Sequence, residues 1–162
     1  MAIIPYLLYL LLIAFDAVIL KNAISINVAA INMPVLVVLI VALYKDDVPA
    51  VWFGFFAGLV AAAGGPPRQL GWQALIMAAL AAVGSVVRER INLDSLGARL
   101  LVILIGVLLY NLISLALSRS DGWLVFVFSY ALAGAAYTTI LAWLFFLAKE
   151  GRLTAEKIKA IF

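Results

Sequence analysis

The sequence predicts an all-α membrane protein, a bundle of six transmembrane helices. Three observations lead there. Hydrophobic residues make up 68% of the chain and charged residues only 12%, against roughly 45–50% and about 25% in a soluble domain. The apolar residues fall into six runs separated by short polar breaks. Within those runs no alternating pattern is sustained, so a membrane barrel is not expected and helices are left to satisfy the backbone internally.

The first run spans about Ile3 to Leu20. It has no basic leader and no small-residue cleavage site, so it is expected to be a retained helix rather than a signal peptide. The second runs from Ser25 or Met33 to Tyr44. Pro34 interrupts it early by removing a backbone donor, and Asn27 or Asn32 is placed to cap the groups set free. The third covers Ala50 to Ala63, after the hinge Lys45-Asp46-Asp47-Val48-Pro49. Pro49 suits a first helical turn, with Asp46 or Asp47 as N-cap. Gly64-Gly65-Pro66-Pro67-Arg68-Gln69-Leu70-Gly71 is the strongest break in the chain. The fourth span is Trp72 to Val87, the fifth Ser95 to Leu117 and the sixth Trp123 to Leu147. Arg88 to Asp94 and Ser118 to Gly122 link them.

Residues 1–148 thus form one six-helix transmembrane domain, and 149–162 a basic, amphipathic cytoplasmic tail that reads either as a membrane-surface helix or as a frayed end. With six spans, one side holds Lys45, Arg88, Arg90, Arg99, Lys149, Arg152, Lys157 and Lys159, and the other only Lys21, Arg68 and Arg119. This bias puts both termini in the cytoplasm of a plasma membrane. Tyr44, Trp72 and Trp123 lie near span ends, where interfacial anchors belong.

The chemistry available is narrow. The chain has no Cys and no His, which excludes thiol nucleophiles, disulfides and the usual zinc and haem sites. No metal, cofactor or catalytic set is expected, and a nucleic-acid role has no basic, aromatic-interleaved face to rest on. Asp16 is the only acid inside a span. An intramembrane acid is functional by default, and the alternatives are a place near the headgroups or pairing with a snorkelling Lys21. Gly54 and Gly58 form a G-x-x-x-G face, extended by Ala61 and Gly65. Such a face serves either packing within the chain or contact with a partner helix. Asn111, Ser114, Ser129, Thr138 and Thr139 are intramembrane polar groups suited to joining helices. Asn32 joins Asp16 and Asn111 as a candidate where the second helix is broken. Arg88, Arg90 and Arg99 form a cytoplasmic basic edge, fitting ordinary topology, anionic lipid or an acidic partner.

The stretch from Asn32 to Arg90 resembles the rod shape-determining protein MreD family. The resemblance is carried by Met33-Pro34-Val35-Leu36-Val37-Val38-Leu39, then Gly54-Phe55-Phe56-Ala57-Gly58-Leu59, then Gly65-Pro66-Pro67 and Leu70-Gly71. The chain departs from that pattern at Val35 and at Ala62 and Ala63, where the family often carries acids, so no role of those acids is carried over. The resemblance implies a non-enzymatic scaffold of the bacterial cell-elongation complex. It would bind the single-span protein MreC and help couple MreB filaments to the peptidoglycan synthases RodA and penicillin-binding protein 2. It also implies a fold similar to the S components of energy-coupling-factor transporters. On that reading Gly54, Gly58, Ala61, Pro66, Pro67 and Gly71 are the partner-interface candidates. The competing function is a substrate-binding membrane subunit of a vitamin or small-solute transporter. Ala14 and Ala17 are three apart, rather than the four of an S-component docking stripe, which weighs against it.

Overall fold

The computed structural model describes residues 4–16, 31–63, 67–91, 93, 95–118 and 127–149. Among them every regular element is helical. The helices are α1 (Ile4–Phe15), α2 (Met33–Tyr44), α3 (Asp47–Ala62), α4 (Pro67–Arg90) and α5 (Leu96–Ser118). A π-helical segment, Val127–Leu132, runs directly into α6 (Ala133–Lys149). Among the described residues, three stretches are long and apolar enough to cross a membrane: Gly71–Arg90, Leu96–Leu117 and Tyr130–Lys149. The other three helices are apolar but shorter. At 1.5 Å per residue, α2 is only about 18 Å long, well under the ~30 Å of a bilayer core.

The chain's own chemistry explains the boundaries. Of the two starts predicted for the second helix, Met33 is observed, with Pro34 in the first turn where its missing N–H costs nothing. Asn32 occupies the N-cap position but makes no side-chain cap. Helix α3 starts at Asp47, ahead of the expected Ala50, because Pro49 is tolerated within a first turn. Its N-terminus is closed by the extended Asp46, whose carbonyl accepts from the Ala50 N–H at 3.0 Å. The Gly64–Gly71 break is shorter than expected. Helix α4 opens on Pro67, so Arg68 to Gly71 are helical, not loop. Proline presets the first-turn dihedral, and an internal glycine costs a helix only about 1 kcal/mol. Helix α4 also runs past Val87 to Arg90, with Arg88 and Arg90 in its last turn, where the dipole favours cations. Helix α5 is capped by Ser95, whose Oγ accepts the Ala98 N–H at 3.1 Å. Residues 17–30, which include Lys21 and Asn27, lie outside the described residues, as do Arg119, Ser120 and the tail beyond Lys149.

Helix α2 is the axis of the bundle. Val35 to Leu39 and Val41 to Leu43 are all buried, leaving no polar face, as expected of a helix enclosed by others. Every other helix packs against it. Leu39 fills the notch at Gly106 on α5, and Ala42 lies against Gly84 on α4. On α1, Ile13 is fully buried and Tyr6 and Tyr9 rest on Phe53 of α3, with ring centroids 5.8 Å and 6.2 Å apart. Leu7, Leu8, Leu11 and Leu12 point outward.

Candidate functional site

The tightest seam is α3 on α4. Lipid tails are as apolar as leucine, so helices in a bilayer associate chiefly through close packing and hydrogen bonds. Small residues allow that approach. A Cβ on Gly54 would come within 2.7 Å of the Met77 carbonyl oxygen. One on Gly58 would come within 2.5 Å of Ala74 Cα and 2.7 Å of the Gln73 carbonyl oxygen. The G-x-x-x-G face is therefore occupied by α4 of the same chain, and it is not an open surface for a partner. The stripe differs in detail from the expected one. Ala50, Gly54, Gly58 and Ala62 are buried at four-residue spacing, while Ala61 is only half-buried. Gly65 and Pro66 lie outside the described residues. Gly71 is exposed, and a Cβ there would meet nothing within 4 Å.

The outward side of the same helix is aromatic. Trp52 and Phe56 stack at 6.1 Å with an interplanar angle of 28°, and Phe55 meets both edge-on. Trp52 is 59% exposed and Phe56 48%. The motif Gly54-Phe55-Phe56-Ala57-Gly58 thus divides into a glycine face turned to α4 and an aromatic face turned away.

A second cluster forms at the N-terminus of α2. Asn32 Nδ2 donates to Asn111 Oδ1 on α5, and the Asn32 backbone N–H donates to Thr138 Oγ1 on α6 at 3.1 Å. Asn111 Nδ2 donates to the Ala131 carbonyl at 3.1 Å. The Thr138 hydroxyl in turn donates to the Gly134 carbonyl at 2.7 Å. Ala131 lies in the π-helical segment. Asn111 and Thr138 are fully buried. Asn32 therefore ties three helices together instead of capping its own. Asn111 is about 22 Å along α5 from Leu96, so the knot lies deep between the ends of the bundle. Asp16, at the end of α1, is buried too and has an interaction partner.

The third feature is at the opposite end of α2. There the C-termini of α2, α4 and α6 meet the N-termini of α3 and α5. Arg88 donates to the carbonyls of Ala42 and Lys45, closing the C-terminal end of α2, and pairs with Asp47 at 2.9 Å. Arg99 Nε donates to the Leu93 carbonyl at 2.6 Å and its Nη1 to the Tyr44 hydroxyl at 3.3 Å. Its guanidinium also lies 6.0 Å from the Phe146 ring centre, and Lys149 Nζ sits 3.3 Å from the Tyr44 ring centre. Lys45, Arg88, Arg90, Arg99 and Lys149 are thereby gathered at one end of the bundle. An open cleft of about 510 Å³ lies there, lined by the charged Arg88, Glu89, Arg90 and Arg99, by Tyr44, and by the apolar Leu43, Ile91 and Leu93.

Sequence reasoning named most of these residues but not their grouping. Ala50 and Ala62 were legible from their four-residue spacing about the two glycines. The Ala131 carbonyl was not, because a backbone acceptor leaves no trace in side-chain type. Comparison with protein-family models, with curated proteins and with solved structures gives no match to this chain.

Proposed function

We propose that this chain is a non-enzymatic, multi-pass membrane scaffold of the bacterial cell-elongation complex, of the MreD kind. In this reading it crosses the plasma membrane six times, in an arrangement similar to transporter S components, with both termini cytoplasmic. It binds an MreC-like single-span protein and helps couple MreB filaments to RodA and penicillin-binding protein 2. The observation that supports it most is the partition of α3. Within the motif that carries the family resemblance, the glycines seat the helix on α4 and leave Trp52, Phe55 and Phe56 as a rigid aromatic ridge on the outside. A single partner helix can pack on such a ridge, since aromatic anchors supply much contact area at little entropic cost.

Co-expression with an MreC-like protein and purification in mild detergent tests this. A stable complex is expected, weakened when Trp52 and Phe56 are both replaced by alanine. No association with the unaltered chain would sink the scaffold reading. Association that ignores the double replacement would move the contact off α3. Because the chain has no cysteine, single introduced cysteines can report topology without background labelling. Labels at Lys45 and Arg90 should react only from the cytoplasmic side.

One observation favours the transporter alternative: a short helix whose N-terminus lies among Asn32, Asn111 and Thr138 at depth, the kind of interrupted helix that lines solute sites. Co-purification with a paired ATPase, and thermal stabilisation by a small solute lost in Asn111→Ala, would favour it over the scaffold.

A further inference from the structure

The basic cleft is built differently from a solvated charged edge. Two of its arginines are fixed in place. Arg88 is held by Asp47 and by the carbonyl end of α2, and Arg99 by Leu93 and Tyr44. By covering the Ala42 and Lys45 carbonyls, Arg88 removes the partial negative charge that the end of α2 would otherwise turn toward the cleft. Arg90 is different. It is exposed and makes no hydrogen bond or ion pair among the described residues. Tyr44 accepts from Arg99, so its own hydroxyl proton is free to be donated. Among the described residues the charges do not cancel. At this end of the bundle the five basic residues Lys45, Arg88, Arg90, Arg99 and Lys149 outnumber the three acidic ones, Asp46, Asp47 and Glu89, by two. Leu43, Ile91 and Leu93 supply the apolar part of the lining. Ile91 in that lining is 50% exposed, and Leu101 on α5 and Phe145 on α6 also face outward.

From this geometry we infer that the cleft binds the phosphate group of an anionic phospholipid headgroup, with Arg90 as the arginine free to close on it. In an anionic lipid no choline ammonium offsets the phosphodiester's negative charge, and its oxygens can be bound together by a guanidinium fork and a phenol. The exposed apolar flanks next to the cleft lie where acyl chains would run. This inference depends on the chain lying in a membrane with this end at the interface. It does not depend on any protein partner.

The full chain, purified in mild detergent with equal phosphatidylglycerol and phosphatidylcholine, can be examined by native mass spectrometry. The wild-type protein is expected to retain phosphatidylglycerol in clear preference. Arg90→Ala should lower that retention about fivefold, taking the usual worth of one basic residue at an anionic surface, while Arg90→Lys keeps most of it. Arg90 bonds to nothing that holds the fold, and an unchanged melting temperature would verify this for both variants. Millimolar inorganic phosphate distinguishes the source. Displacement of the lipid means the cleft takes phosphate as such, and resistance means that it needs the lipid headgroup. Both outcomes uphold a phosphate site. Equal retention of the two lipids by the wild type, or retention by Arg90→Ala equal to wild type, would overturn it.

Discussion

Replacing Gly58 by alanine tests the packing of α3 on α4 with one methyl group. The new Cβ would stand 2.5 Å from Ala74 Cα, 2.7 Å from the Gln73 carbonyl oxygen and 2.8 Å from the Ala74 nitrogen. Optimal separation between carbon atoms is about 3.5–4.0 Å, so the two helices must part locally by about 1 Å. All three obstacles are backbone atoms, so no side chain can rotate away to relieve the contact. Overpacking of this kind costs about 1–3 kcal/mol. Parting the seam also loosens the dispersion contacts of Ala50, Gly54 and Ala62, which share the stripe. A loss of about 2–3 kcal/mol is expected for Gly58→Ala. Gly54→Ala should cost somewhat less, since only one of its three nearest atoms falls under 3.0 Å. Gly71→Ala is the control. Its Cβ meets nothing, and removing a helical glycine should be neutral or stabilising by up to about 1 kcal/mol. Reversible unfolding in mixed micelles, followed by helical circular dichroism, measures all three. Wild-type stability in Gly58→Ala, or a larger loss in Gly71→Ala, would refute the packing argument. Unchanged stability with lost partner binding would return the glycine face to an intermolecular role.

Three further outcomes are expected. Asn111→Leu leaves the Asn32 amide and the Ala131 carbonyl without their partner and should destabilise by about 1–2 kcal/mol, more than Thr138→Val, in the same unfolding assay. Arg88→Ala opens the carbonyl end of α2 as well as the ion pair and should cost about 1–2 kcal/mol. Asp47→Asn, which loses only a half-exposed pair, should cost a few tenths, and equal losses would show that the ion pair alone mattered. Ser85 is buried on α4 with its hydroxyl unbonded among the described residues, so Ser85→Ala should be neutral or raise stability by up to about 1 kcal/mol, and a clear loss of stability would point to a hydroxyl partner.

Helix existence and order were legible in the sequence, because runs of apolar residues leave a membrane chain few alternatives to helices. So was the grouping of Lys45, Arg88, Arg90, Arg99 and Lys149 at one end, which follows from alternating helix direction alone. Element ends were less legible. Pro67 and Gly71 both read as breakers, yet one starts α4 and the other lies inside it, since proline breaks a helix only beyond its first turn. Sequence spacing alone put Gly54 and Gly58 on one face, and it had no means of saying which helix would meet that face. The tertiary structure assigned it to α4, because contact at 2.5–2.8 Å from a would-be Cβ exists only once two particular backbones are side by side. It likewise turned Asn32 from a cap of its own helix into the link between α5 and α6. Polarity is a property of the residue, but its partner is decided by what the fold brings within hydrogen-bond reach.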